Sequence, residues 1–386
     1  MVLTPTGEAY SWGCNDMGAL GRQGGNDALP GRVLLDQPIT GVALGGSHSV
    51  FYNTELSNAF FAGLYRDAVS GQVKGENPVL LPLAFGAETF RKGKRRLLKI
   101  ASGLDHTVAL TNDGKVWAWG DAECGKIGRI LKSRTSKVQS RKIEQVGAKK
   151  AVDIWCGGHN SFYVNDKGVL FGWGLNNHGQ LGIGTKENAC RPTEIIWPEE
   201  HEDATAVAGG EHHTIAMTKS GRVYCWGRND EGEVGVGDLF GNYNREQKVL
   251  EAQRLEEAER KAKEVADAAA AGVELAPTDE QANAAAAEGD EAVTGSQKAP
   301  KKSRKAKQTK EVEVDLAGIY YFAIPNRVPA LDDKDISSVH AYGHYNYALS
   351  KSSGELYAWG MGENYVLGTL RDENVYEPAV VNPKMF

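Results

Sequence analysis

The sequence lacks the features by which several function classes would show themselves. Its cysteines are few and unpaired along the chain. They are Cys14, Cys124, Cys156, Cys190 and Cys225, an odd number with no C-x-x-C among them. That pattern argues against a zinc-binding spacing or a disulfide framework and fits a reducing compartment. No uninterrupted apolar run approaches the roughly 18 residues that a membrane-spanning helix requires. The start of the chain has no basic segment followed by an apolar stretch of the secretory kind. The expectation is an intracellular protein with no membrane partner. Positive charge is not in excess either: 44 Lys and Arg stand against 50 Asp and Glu, a net charge of −6. This weighs against a uniformly basic surface for nucleic acid while leaving room for a local basic patch. Missing too are a glycine-rich phosphate loop, an H-E-x-x-H pair and a nucleophile elbow. Nor is there an acidic or metal-ligand cluster that would make a hydrolase or lyase. No covalent chemistry, cofactor, metal or small-molecule substrate is therefore expected.

What the chain has in quantity is glycine, 46 residues against 13 prolines. Such a load suits tight turns and not helices. Many of these glycines fall in a phrase that returns along the chain: aromatic, Gly, polar residues, Gly, a gap residue, apolar, Gly. It reads Trp12-Gly13 to Leu20-Gly21, Trp119-Gly120 to Ile127-Gly128, Trp173-Gly174 to Leu181-Gly182, Trp226-Gly227 to Val234-Gly235, and Trp359-Gly360 to Leu367-Gly368. A degenerate copy at Ala62-Gly63 has Ala in place of Trp. The first glycines are spaced by 50, 57, 54 and 53 residues, then by 133, a step that contains an insertion of about 79 residues.

A second half precedes each phrase: a small residue, a variable residue, a His, an alternating strand and a turn. Gly103-Leu104-Asp105-His106-Thr107-Val108-Ala109-Leu110 and the turn Asn112-Asp113-Gly114 show it in full. Period-two alternation between Gly-containing turns means β-hairpins. Several short strands in each unit of about 54 residues mean a propeller blade, and the fold class is all-β. Residues 1–239 and 319–386 are expected to form blades, with an insertion at 240–318 between them.

These repeats resemble those of the regulator of chromosome condensation family. The resemblance covers nearly everything outside the insertion. It is most specific at Gly13-Cys14-Asn15-Asp16 through Gly18-Ala19-Leu20-Gly21-Arg22, and at Ala358-Trp359-Gly360-Met361-Gly362 through Asn364-Tyr365 to Leu367-Gly368-Thr369. It implies a seven-bladed propeller that acts as a guanine-nucleotide exchange factor for the small GTPase Ran, resides in the nucleus and docks on nucleosomal histones and DNA. The family pattern has seven phrases and this chain has six. The chain opens in mid-blade at Val2-Leu3-Thr4 and ends at Phe386 before a closing strand pair, so an open ring with exposed sheet edges is expected.

The insertion begins with a Glu-, Lys-, Ala- and Arg-rich stretch at about Asn244 to Ala271, expected as a solvated helix. The stretch from Gly272 to Ser296 has the composition of a disordered segment. A basic cluster follows at Lys301, Lys302, Arg304, Lys305 and Lys307. It suits nuclear import or DNA phosphates, and equally a soluble charged linker.

Three residues and one loop stand out as candidates for function. His48, His106 and His213 share one repeat position, and a residue that recurs in every blade serves the blade. His212 sits one place earlier, in a column that holds Ser47, Asp105, His159 and His344 elsewhere. Variable positions beside turns are where a scaffold presents binding groups. The resemblance implies a role in exchange for this first His of Gly209-Gly210-Glu211-His212-His213-Thr214. It also implies one for Asp153, the first residue of Asp-x-x-Cys-Gly, whose column otherwise holds Gly41, Lys99 and Ala206. Asp113 is a weaker candidate, since a β-turn alone explains an Asp there. The long loop after Gly128 matches the position of a wedge that the family inserts into its GTPase. Here the wedge would be Leu131, Lys132, Ser133, Arg134, Thr135, Ser136, Lys137 and Val138. The rival reading is a non-catalytic propeller scaffold that binds chromatin or another GTPase.

Overall fold

In a computed structural model, the described residues are 1–65, 81–82, 95–131, 142–198, 202–239, 260 and 320–383. The basic cluster at Lys301 to Lys307, most of the insertion and Lys132 to Val138 of the wedge lie outside them. The strands form one three-stranded and five four-stranded antiparallel sheets, the blades of a β-propeller. The first sheet contains β1 (Val2–Leu3), β2 (Ala9–Ser11) and β3 (Gly31–Arg32). The second has β4 (Gly41–Leu44), β5 (His48–Asn53), β6 (Asn58–Gly63) and β7 (Leu81–Pro82). The third has β8 (Leu97–Ser102), β9 (His106–Thr111), β10 (Val116–Gly120) and β11 (Glu144–Gln145). The fourth has β12 (Ala151–Cys156), β13 (Asn160–Asn165), β14 (Leu170–Gly174) and β15 (Ala189–Glu194).

The fifth blade shows where the insertion enters. Its strands β16 (Ala204–Gly209), β17 (His213–Thr218) and β18 (Val223–Arg228) precede the insertion. Its outer strand β19 (Tyr321–Arg327) follows it and pairs with β18 through Tyr224 and Arg327. The stretch after the insertion therefore completes the fifth blade before it builds the sixth. That sixth blade is β20 (Ile336–Tyr342), β21 (Tyr345–Ser350), β22 (Leu356–Gly360) and β23 (Val375–Val380).

The inner strands β4, β8, β12, β16 and β20 stand side by side around the axis. A belt of backbone hydrogen bonds joins their ends. Gly46 donates to the Leu104 carbonyl at 2.9 Å, Leu104 to Gly158 at 2.8 Å, Gly158 to Gly210 at 2.9 Å and Glu211 to Gly343 at 2.9 Å. Peptide groups that would be orphaned at a strand end are thus satisfied by the next blade.

The recurring phrase is explained by what lies between blades. Trp119, Trp173, Trp226 and Trp359 are buried, each packed on the core of the preceding blade. Trp173 Nε1 donates to the Lys126 carbonyl at 2.9 Å, Trp226 to Gln180 at 2.9 Å and Trp359 to Glu233 at 3.0 Å. The last glycine of each phrase lies beneath the next blade's indole. A Cβ on Gly182 would come within 2.9 Å of Trp226 Nε1, and its φ of +70° already favours glycine. At the degenerate copy, Gly21 instead lies beneath Phe51 and Ala62, so Phe51 fills the volume that Trp holds elsewhere.

The recurring histidines prove to be structural. His48, His106 and His213 are buried and reach the following blade. Their Nε2 atoms meet Thr107 Oγ1 at 3.2 Å, Ser161 Oγ at 2.8 Å and Asn346 Oδ1 at 2.9 Å. Burial lowers their pKa values to about 3, about 3 and about 4. All five cysteines are free thiols.

Candidate functional site

The residue before each structural histidine lies in the turn that follows an inner strand, at one end of the axis. Its backbone is fixed from behind. The carbonyl of Asp105 accepts from Asp121 N at 2.8 Å, that of His159 from Leu175 N at 3.1 Å, and that of His212 from Arg228 N at 2.9 Å. The first glycine of the phrase permits this approach, since a Cβ on Gly227 would stand 2.5 Å from the His212 carbonyl oxygen. The fold thus holds the main chain, while the side chain varies between blades. Ser47, Asp105, His159, His212 and His344 occupy this position, the rim, in five blades, and the residues before them, among them Gly103, Gly157, Gly209 and Gly343, line a cavity of about 280 Å³.

His212 stands among three other imidazoles. Its ring centroid lies 4.9 Å from His178, 6.1 Å from His159 and 6.2 Å from His344. Burial, reinforced by these rings and by Arg228, lowers the His212 pKa to about 4, so the ring is neutral at physiological pH. His159 and His178 are also shifted down by burial, with Lys126 adding to the first and Arg228 to the second. His344 moves the other way. Its Nδ1 lies 3.3 Å from the fully buried Glu233 carboxylate, and that hydrogen bond outweighs burial to raise its pKa.

Asp153 is the third residue of β12, and its carboxylate is engaged within the wall of the axis. It accepts from Lys99 Nζ at 2.7 Å and from the Ile154 amide at 2.7 Å, while Lys99 also lies 4.9 Å from the Trp155 ring. Side chains in one strand column face the axis at different heights. The column of Asp153 sits below the rim, by about 10 Å for three residues of strand. Asp113 lies at the far end of the blade, in the β9–β10 turn. Burial opposes its ionisation, but the Thr111 hydroxyl and the Arg95 guanidinium, each at 2.7 Å, hold its pKa below the ordinary value. The rim carboxylate is Asp105, which sequence reasoning recorded only as a member of the His212 column. Its charge acts on His159. The column itself was the signal.

The wedge loop departs from the rim end, because Gly120 pairs with His106 and Asp121 binds the Asp105 carbonyl. Its base is pinned where Arg129 Nη1 donates to the Ala118 carbonyl at 2.6 Å. Leu131, the one described wedge residue, is half-buried against the core between the third and fourth blades.

A family model, the RCC1-like domain, matches residues 1–386. The chain belongs to this family. Among RCC1-like relatives, the human Regulator of chromosome condensation is 26% identical over 399 residues, spanning 98% of this chain and 74% of the relative. The Ultraviolet-B receptor UVR8 of Arabidopsis thaliana is 30% identical over 234 residues, which is 60% of this chain and 51% of UVR8. Of solved structures, Saccharomyces cerevisiae Prp20p, studied for its binding to Gsp1p and histones, superposes with a TM-score of 0.70 at 20% identity. That superposition covers 99% of this chain and 74% of Prp20p, and it fixes the propeller fold of this RCC1-like chain.

Proposed function

We propose that the chain is a guanine-nucleotide exchange factor for Ran, acting through the His212 rim and the loop beyond Gly128. The observation that carries the reading is the rim itself. Its backbone is locked by the repeat, while the residue it presents varies among Ser, Asp and His. The likeness to proteins named Regulator of chromosome condensation, and to a Prp20p studied with Gsp1p and histones, supports the choice of partner.

Exchange makes and breaks no covalent bond. A small GTPase holds its nucleotide through a phosphate loop and Mg²⁺. A partner that prefers the nucleotide-free form weakens nucleotide binding by the same factor, by linkage. His212, neutral and half-buried, can accept or donate one hydrogen bond to a docked segment without adding charge. Asp105 can receive a basic side chain of the GTPase. The loop from Leu131 to Val138 would displace contacts on the phosphate side. Nuclear residence, import or DNA contact through Lys301 to Lys307, and docking on histones belong to the same proposal.

The likeness to UVR8, a receptor, favours a second reading in which the propeller binds partners without exchange. Release of a fluorescent GDP analogue from Ran separates the two. Acceleration by the wild-type chain, reduced at least about tenfold in His212→Ala and Asp105→Ala, establishes exchange at the rim; each factor of ten is about 1.4 kcal/mol. Asp153→Ala, measured beside them, tells whether the wall carboxylate contributes as the family resemblance implies. Ran binding without acceleration supports the scaffold.

A further inference from the structure

The joints between blades repeat a contact as well as a phrase. The middle glycine of the phrase lies against the outer strand of the next blade. A Cβ on Gly179 would stand 2.6 Å from the Ala323 Cα and 3.0 Å from its Cβ, and one on Gly232 would stand 2.8 Å from Tyr376 Cδ1. Between the third and fourth blades the same contact joins Gly125 to β15, where a Cβ on Gly125 would stand 2.8 Å from the Cys190 Cα. The residue before the glycine and the facing residue of the outer strand are therefore neighbours at each joint. They are His178 with Ala323, Glu231 with Tyr376, and Cys124 with Cys190. Of these three joints, one brings two thiols together.

Cys190 is exposed, and Cys124 is half-buried in the short 3-10 turn Glu123–Gly125. Both are free thiols, and an oxidant in solution reaches Cys190 directly. Burial raises the Cys124 pKa; the charge of Lys126 opposes this, while the charges of Glu123, Asp121 and Cys190 add to it. Cys190 is thus close enough for its charge to be felt at the Cys124 sulfur. Consecutive Cα atoms are about 3.8 Å apart, so the contact at Gly125 puts the Cα atoms of Cys124 and Cys190 within about 8 Å of each other. A disulfide holds its Cα atoms about 4.4–6.8 Å apart. Cys124 is held at a φ of +54°, a conformation that costs free energy for a residue with a side chain.

We propose that Cys124 and Cys190 form a reversible disulfide, a redox-sensitive clip between the third and fourth blades, with hydrogen peroxide as the oxidant. A small relaxation of the surface turn brings the two Cα atoms to disulfide spacing. The Cys190 thiolate attacks one peroxide oxygen, the O–O bond breaks, and the leaving hydroxide takes the thiol's proton as water. The Cys124 sulfur then attacks the sulfur of the Cys190 sulfenic acid. An S–S bond forms, the S–O bond breaks, and the Cys124 proton leaves with the hydroxyl as a second water. Two thiols lose two electrons, and the peroxide is reduced to two waters. A dithiol reductant reverses the step by thiol–disulfide exchange. The clip sits just before Gly128, where the long loop of the third blade begins, so its closure fixes the base of that loop. No C-x-x-C spacing announces the pair, and only the packing of one blade on the next brings it together.

The test treats the full, reduced chain with hydrogen peroxide, blocks the remaining thiols by alkylation, and maps tryptic peptides by mass spectrometry without reduction. Residues 116–126 and 187–219 are released as peptides with one cysteine each, so their joined mass identifies the bridge. The expected result is that this joined peptide is the main oxidised species and disappears on treatment with dithiothreitol. Cys124→Ser and Cys190→Ser should each abolish it, whereas Cys14→Ser, at another exposed thiol, should leave it unchanged. Oxidation should also raise the urea midpoint of the wild-type chain and not that of Cys190→Ser, because the bridge constrains the unfolded chain. Circular dichroism confirms that each variant is folded. The proposal is overturned if the two cysteines of the folded chain oxidise singly to sulfinic acids. It is overturned equally if Cys190 pairs with another cysteine, or with a second copy of the chain, as readily as with Cys124. No GTPase is present in these measurements, so their outcome is independent of the exchange reading.

Discussion

At one end of the propeller axis the turns after the inner strands carry side chains of three kinds: Ser47, Asp105, and the histidines His159, His212 and His344. At the other end the turns between the second and third strands keep to a narrow set, as in Asn112-Asp113-Gly114, Asp166-Lys167-Gly168 and Ser220-Gly221. Their glycines sit at φ values of +71°, +80° and +82°, and Asn112, Asp166 and Ser220 bond to residues of the same or a neighbouring strand or loop. Asp113 is likewise tied to Thr111 and Arg95. The same repeat therefore makes one end structural and leaves the other free to specialise. The division is as sharp as one residue, since His213 is fully buried while His212 next to it reaches the rim.

Acid offers the largest effect by which to test this division. His48, His106 and His213 have folded pKa values of about 3, about 3 and about 4, below the ordinary 6.5. The unfolded chain takes up protons below pH 6.5 while the folded chain does not. Stability is therefore full above pH 6.5 and falls as the pH drops toward 4, by about 1.4 kcal/mol per pH unit for each histidine. Urea unfolding followed across that range should show a slope of about 4 kcal/mol per unit from these three, to which the lowered His159, His178 and His212 add in the same direction. His106→Asn, which copies the residue Asn160 already found in the fourth blade, should remove about a third of the share of the three buried histidines. The rim histidine His344 has the opposite sign. Its raised pKa gives a contribution that is present below pH 6.5 and lost as the pH rises through its folded value.

Trp226→Ala should come next, with a loss of about 3–5 kcal/mol in denaturant unfolding, because it opens a cavity between two blades and disturbs both ends alike. The adjacent pair then sharpens the contrast. His213→Ala should cost about 2–3 kcal/mol by leaving Asn346 without its buried partner. His212→Ala should change stability by no more than about 0.5 kcal/mol yet slow nucleotide exchange on Ran. If His212→Ala proved as destabilising as His213→Ala, the rim would be structural after all. Asp113→Asn should have the smallest effect, about 0.5–1 kcal/mol of stability, with exchange unchanged.

Much of this was legible in the chain. The Trp-Gly phrase located the blades because an indole buried between sheets needs a glycine beneath it. The recurring His column was readable as structural, and His48, His106 and His213 each make the same kind of bond to the following blade. The hidden part concerned height and company. Asp153 and His212 both depart from their columns, but a column carries no record of which end of the strand it occupies. Asp153 met Lys99 from the adjacent blade, a contact between residues 54 apart in sequence. That the insertion enters inside the fifth blade was hidden for a related reason: β19 has no phrase of its own, and only its pairing with β18 assigns it to that blade.

By itself, the sequence determined the repeat, the all-β class, the buried tryptophans and histidines, and the variable column that holds His212. These are properties of each unit and of its contact with an identical neighbour, so local pattern specifies them. Only the tertiary structure decided that His159, His178, His212 and His344 share one rim beside Glu231 and Glu233, and that Asp153 does not. The physical reason is that the blades turn about a common axis. Residues at equal heights in different blades converge there, whatever distance separates them along the chain.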